Sequence, residues 1–229
     1  MAKHGKKYYK AREQISSEQV YPIEKAVAKL KEVAHVKFDE SVDVDVNVGI
    51  DPSKGDQVVR GSVLLPHGIG KKVSVIVFAK GEYAEKAMKA GADHVGAEDL
   101  VEKIEAGWMD FNYAVATPDL MALVGRVAKL LGPRGLLPNK KTGTVTFDVA
   151  STVEDLKRGR LFFKNDKNGI VHFTVGKVSF APEKLHQNIA VFIKALMGSK
   201  PASSKGKFIR RMTVTSTMGP GIHVNSDDV

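Results

Sequence analysis

The 229-residue chain has no cysteine. Disulfide frameworks, Cys-ligated zinc, iron–sulfur clusters and thiol nucleophiles are therefore excluded. No apolar run approaches the roughly 20 residues that cross a bilayer. The opening Met1–Arg12 segment is basic and has no apolar stretch behind it, so it does not read as a secretory signal. The seven histidines, from His4 to His223, form no i, i+4 pair and no acid-rich cluster, which leaves a metal site unsupported. A Gly-x-Ser-x-Gly nucleophile elbow is also missing. The expectation is a soluble cytosolic protein without a cofactor, metal or membrane partner.

What is present is an ordinary globular mixture, 43% hydrophobic and 27% charged. At roughly 100–200 residues per domain, the length fits one large domain or two small ones. Net charge is +9, and it is unevenly spread. Bases and acids number 11 and 10 over residues 1–67, 13 and 12 over 68–159, and 11 and 4 over 160–229. A cationic field confined to the C-terminal third suits a polyanion, because neutralising phosphates releases condensed counterions.

The pattern along the chain changes twice. Pro22 to Ala34 spaces Ile23, Ala26, Val27 and Leu30 as one face of a helix with proline in its first turn. From Ser41 to Val48, four valines alternate with Ser41, Asp43, Asp45 and Asn47, a half-buried strand. Gln57 to Leu65 reads as a second strand. Val73 to Ala79 is almost continuously apolar, as in a strand covered on both faces. Helical stretches at Glu82–Ala90, Glu98–Ala106 and Asp119–Leu131 then alternate with strand-like Asp93–Val95 and Tyr113–Thr117, which implies parallel pairing in a Rossmann-like layer. Ser151-Thr-Val-Glu154 has the capping-box pattern, with Gly159 as the stop. Arg160–Lys164 and Ile170–Val175 flank Asn168-Gly169, which favours a hairpin turn. Pro182 to Met197 forms a helix ended by Gly198, and Gly198–Gly206 a basic loop. Lys207 to Met218 forms a long strand that stops at Gly219-Pro220.

The fold class expected is α/β. An α+β outer domain, 1–68 with 159–229, would be interrupted by an inserted Rossmann-like three-layer α/β domain, 69–158. The crossings near Pro66–Gly70 and Gly159 would act as a hinge.

Four local features invite chemistry. His67-Gly-Ile-Gly-Lys-Lys72 lacks both the third glycine of the dinucleotide fingerprint and the Walker spacing, so a tight turn is favoured over nucleotide binding. Asp43 and Asp45 share a strand face in a polar row, a solvated face rather than an acid–base pair. Met121 to Lys141 carries Arg126, Lys129, Arg134, Lys140 and Lys141 and no acid, a shaped basic stretch that suits phosphates or simply a solvated rim. Thr213, Thr215 and Thr217 form a hydroxyl row of the kind that grips folded RNA, though good strand propensity explains them equally.

Longer motifs carry a resemblance. Gly132-Pro-Arg-Gly-Leu-Leu-Pro-Asn139, preceded by Leu123–Leu131, is similar to the signature of the universal L-one stalk protein family of the large ribosomal subunit. Lys37–Val42, Asp56–Gly61, Gly107–Phe111 and Thr215–Pro220 agree with it, as does the Lys3-His-Gly-Lys6 start. The resemblance implies a two-domain fold whose outer domain is the principal rRNA binder. It implies contacts at Lys37, Phe38 and Glu40; at Lys164, Asp166 and Lys167; at His172, Gly176 and Lys177; and at Thr215, Thr217, Met218 and Gly219. It also implies a place at the mobile stalk near the exit of deacylated tRNA, and repression of the protein's own operon mRNA. The middle domain would face the tRNA with Arg126, Lys129, Arg134, Lys140 and Lys141. No catalysis is expected, and the free protein would be a monomer. The alternative is a small-molecule or nucleotide-binding α/β enzyme using the middle domain.

Overall fold

The structure, a computed structural model, describes residues 5–16, 19–204 and 206–225. Met1–His4 of the basic arm, Lys205 of the basic loop and the tail with Asp227 and Asp228 lie outside the described residues. The elements in chain order are α1 (Lys6–Glu13), α2 (Ile23–Val33), β1 (Ser41–Val48), β2 (Arg60–Leu64), β3 (Val75–Phe78) and α3 (Glu82–Lys89). Then come β4 (His94–Gly96), α4 (Glu98–Glu105), β5 (Tyr113–Ala116), α5 (Met121–Arg126), α6 (Ala128–Leu131) and α7 (Val149–Arg158). The chain closes with β6 (Arg160–Lys164), β7 (Ile170–Lys177), α8 (Pro182–Gly198), β8 (Ile209–Ser216) and β9 (Ile222–Val224). It divides into two compact units, 1–70 with 162–229, and 71–161.

The first unit holds a four-stranded antiparallel sheet in the order β7-β1-β8-β9. Val42, Val44, Val46 and Val48 are buried while the residues between them are not, as the alternation predicts. That apolar side packs under α2 and α8, which also touch each other. Phe173 of β7 stacks on Phe192 of α8 with centroids 4.1 Å apart, and Phe163 meets both rings edge-on. The opposite side of the sheet is polar.

The second unit has a parallel sheet in the order β4-β3-β5, extended by a bridge from Ala116 to Val145. Ile76, Phe78, Ala114 and Ala116 share a core with Leu100, Val101 and Ile104 of α4 and with Val124, Val127 and Leu131. The alternate residues Val75, Val77 and Val115 point to the other side, where α3 and α7 pack together. Helices on both sides of a parallel sheet make this the Rossmann-like three-layer α/β arrangement.

Several local expectations need correction. Pro22 occupies the N-cap of α2 rather than its first turn. The capping box at Ser151 is not used: the helix starts earlier, and the Asp148 carboxylate accepts from both Ser151 N and Ser151 Oγ. Gly159 does end that helix, at φ 113°. The helix expected over 119–131 is broken into a 3-10 turn, α5 and α6, with Val127 at φ −94°, ψ 3° between the last two. Gly125 and the valines are weak helix formers, and burial of Val124, Val127 and Leu131 decides the path instead. Asn168-Gly169 makes its turn, with Gly169 at φ 75°, yet the flanking strands do not form a hairpin ladder. Strand β6 pairs with β2 and β7 with β1, leaving only an Asn165–Val171 bridge. The buried row Val171, Phe173 and Val175 shares its face with the β1 valines, and that burial outweighs the local turn. The second strand begins at Arg60, after a 3-10 turn at Gly55–Gln57. The last long strand stops at Ser216, so Thr217, Met218 and Gly219 lie in a turn that leads into β9. Gly198 closes α8 from inside it, with Ser199 as the cap.

Candidate nucleic-acid interface

The exposed side of the first unit's sheet is built by period-two patterning. Ser41, Asp43, Asp45 and Asn47 on β1 lie beside His172 and Thr174 on β7, and beside Arg211, Thr213 and Thr215 on β8. Arg211 continues the threonine row by two residues, which is the signal that could have identified it from sequence. His223 of β9 meets Thr213 at 3.1 Å.

At one end of this surface the start of β1 meets the ends of β7 and β8. Ser41 N donates to Thr217 Oγ1 at 3.0 Å, and Thr217 N donates to Ser41 O. Met218 N donates to Glu40 Oε1 at 2.8 Å. Lys177 Nζ donates to Ser41 Oγ at 3.0 Å and to Asp39 O. Lys37 is exposed, and Phe38 and Met218 are 55% and 53% exposed. Two large apolar side chains, two lysines and a hydroxyl therefore gather at one end of one sheet, from three segments at 37–38, 177 and 217–218. Glu40 is different. At 2% exposure it is buried beneath the turn and holds it rather than facing outward. Gly176 is also buried; a Cβ there would meet Leu185 Cδ2 at 2.9 Å and Phe180, so its role is close packing. Thr215 turns its hydroxyl to Ser216 O and Gly219 O, bracing the same turn.

The second cluster lies towards the other end of β7. Lys164 and Lys167 are exposed on either side of Asp166. Asp166 Oδ1 accepts from Ile170 N at 2.7 Å and Asn168 N at 2.8 Å, which fixes the turn. The Ile170 N–H is the main cause holding the Asp166 carboxyl below its usual range; slight burial opposes it, and Asn168 N–H and His172 assist. Buried Asn165 accepts from Val59 N and donates to Asp166 O, anchoring the turn from below. His172 Nδ1 lies 2.6 Å from Asp45 Oδ1. Sequence reasoning took Asp45 for part of a solvated polar row and did not single out Asn165.

In the second unit, Lys129, Arg134, Lys140 and Lys141 are exposed, whereas Arg126 forms an ion pair with Glu105 at 3.4 Å. Asn139 Oδ1 accepts from Lys141 N at 2.8 Å, so Lys140 and Lys141 are held on a defined turn. The glycine pair at 68 and 70 has a structural use. Asn188 of α8 accepts from His67 N and donates to Gly68 O, pinning that turn. Glu82 and Glu85 occupy the first turn of α3, the position that would have to welcome a phosphate. Among the described residues, no group of His, Asp and Glu is placed to hold a metal ion, and no helix is long and apolar enough to cross a membrane.

A family model described as the ribosomal protein L1p/L10e family matches residues 30–220. The large ribosomal subunit protein uL1 of Thermus thermophilus is 51% identical over 226 residues, which cover 98% of this chain and 99% of that relative. The match takes in both units and both clusters on the polar side of the sheet, and the chain belongs to the ribosomal protein L1p/L10e family.

Proposed function

We propose that this chain is a structural, non-catalytic constituent of the large ribosomal subunit and that it grips folded rRNA with the polar side of the first unit's sheet. The observation that carries the reading is the end-of-sheet assembly: exposed Phe38 and Met218 beside Lys37, Lys177 and Thr217, with the turn locked from beneath by Glu40. Lysines neutralise phosphate, hydroxyls bond the sugar–phosphate backbone, and apolar side chains lie against sugars or splayed bases. Lys164 and Lys167 extend the grip along β7, while Asp166, Gly176, Thr215 and Gly219 shape the loops that present it. Binding through lysines makes affinity fall steeply with salt. The relative named for the large subunit supports the same placement.

The finer reading adds a site on the mobile stalk near the exit of deacylated tRNA. There the Lys129, Arg134, Lys140 and Lys141 surface of the second unit faces tRNA, and Arg126 contributes less because Glu105 neutralises it. Repression of the operon's own mRNA follows if that leader carries a fold like the rRNA site. Footprinting the protein on large-subunit rRNA and on the operon leader tests all of this. Protection of one compact folded element in each is expected; crosslinks that map only to residues 71–161 overturn the assignment of the rRNA grip to the first unit.

A further inference from the structure

The chain leaves β2 for the second unit through residues 65–70, and this crossing is tied down to α8 and β7. Fully buried Asn188 of α8 accepts from His67 N, and donates to Gly68 O and to Val175 O of β7. At the end of the crossing, Gly70 takes φ 70°, a left-handed conformation that favours glycine. A Cβ there would lie 3.0 Å from Phe180 Cε1 and 3.1 Å from Lys177 Cγ. Gly176 bears on the same ring from its other edge, where a Cβ would lie 3.0 Å from Phe180 Cδ2. The Phe180 ring thus sits between two bare backbone segments, and the Lys177 stem lies along one of them.

The two ends of Lys177 have different partners. Its stem covers Gly70, while Nζ donates to Ser41 Oγ at 3.0 Å and to Asp39 O at 3.3 Å. A lysine stem is flexible, and packing it along a surface is what gives the ammonium a direction. We propose that Gly70 is a positioning residue of the RNA grip, its bare backbone the bed on which the Lys177 stem lies and aims the ammonium at the Ser41 edge beside Thr217. The proposal rests on the reading that this end of the sheet meets rRNA phosphates. The last residue before the second unit then belongs to the binding surface. A side chain at position 70 presses on both neighbours. The Phe180 ring is backed by Gly176, so the Lys177 stem is the part that gives, and the ammonium leaves Ser41.

The test uses the full chain and a folded fragment of large-subunit rRNA. In the free wild-type protein, nuclear Overhauser contacts should join the Gly70 Hα and Lys177 Hγ protons; their absence overturns the proposal whether or not any variant folds. Gly70→Asn adds a Cβ through a residue that tolerates positive φ. Gly91→Asn, at φ 91° with nothing within 4 Å of its Cβ, is the control for backbone strain. With folding checked by circular dichroism, Gly70→Asn and Lys177→Met should each lose about fivefold in affinity. Each should also flatten the slope of log affinity against log salt by about one, as for one lost phosphate contact. The double variant should be no weaker than Lys177→Met alone, and Gly91→Asn should match the wild type. A folded Gly70→Asn with the wild-type slope, or losses that add in the double variant, overturn the proposal. If the wild type binds no rRNA, or Lys177→Met equals it, the reading of Lys177 as a phosphate contact falls, while the Gly70–Lys177 contact still decides the positioning.

Discussion

Glu40 and Met218 are 178 residues apart in sequence, and the Glu40 carboxylate accepts the Met218 backbone N–H at 2.8 Å. This partly buried bond joins the entry of the first sheet strand to the turn that follows the last long one. Glu40→Ala leaves that N–H without its acceptor and should cost about 2–3 kcal/mol of stability. Glu40→Gln keeps an oxygen in place and should cost clearly less. Urea denaturation separates the two, and rRNA affinity should weaken more in the alanine variant. Equal stability of Glu40→Ala and wild type would remove Glu40 from this role.

Thr217 sits at the same junction, its exposed hydroxyl accepting from Ser41 N at 3.0 Å and donating at 3.5 Å to Ser41 O. Thr217→Ala should weaken rRNA binding by about 1 kcal/mol, a typical hydrogen-bond contribution, in a protein that stays folded. Filter binding alongside circular dichroism checks both halves of this expectation.

Gly219 is required for space. A Cβ there would come within 2.5 Å of Ser216 Oγ and 3.6 Å of Ser216 Cβ. Gly219→Ala should therefore destabilise the turn by about 1–3 kcal/mol, the usual cost of overpacking. Ser216→Ala removes the clashing oxygen, so the double variant should recover part of the loss. A double-mutant cycle in urea should give a favourable coupling of at least about 0.5 kcal/mol; simple additivity would contradict the packing described.

Asp93 ties β4 to its neighbours in the second unit. Burial acts to raise its pKa, but the Lys157 ammonium at 2.6 Å and the Val75 N–H at 2.7 Å outweigh it, so the carboxyl lies below its usual 3.8. A lowered folded value means stability that is present above the unfolded pKa of about 3.9 and lost as pH falls through the folded one. Asp93→Asn should cost up to about 1 kcal/mol at pH 7, since the pair is partly solvent-screened. The gap between variant and wild type should begin to shrink near pH 4 and close as pH falls through the lowered folded value, measured by denaturation at each pH.

How much of this was legible in the sequence depended on the range of the interaction. The valines of β1 announced their own burial because alternation is local and each residue carries its share of the signal. The Asn168-Gly169 turn was equally readable, but its strands went to other partners because pairing is settled by the shared apolar side of a whole sheet. Ser151 lost its capping role to Asp148, three residues earlier, whose carboxylate accepts from the Ser151 N–H where the helix actually starts. In the candidate site, Lys37, Phe38 and Thr217 are expected from motif resemblance alone, and their exposure suits a surface role. The same resemblance names Glu40 and Asp166, whose carboxylates are turned to backbone N–H groups. An acid in a sequence reads as a solvated group; Asp166 is claimed by amides two and four residues on, and Glu40 by one from the far end of the chain.

The sheet order β7-β1-β8-β9 also constrains how the protein comes into being. Strand β1 is synthesised early, yet both strands that flank it emerge only after residue 170. Residues 71–161 form a contiguous unit whose partners are all at hand midway through translation. A nascent chain should thus complete its inner unit first and hold four valines unsheathed until its final segments leave the exit tunnel. An unfinished polypeptide would then have no assembled grip to offer an RNA, which confines the activity to full-length molecules.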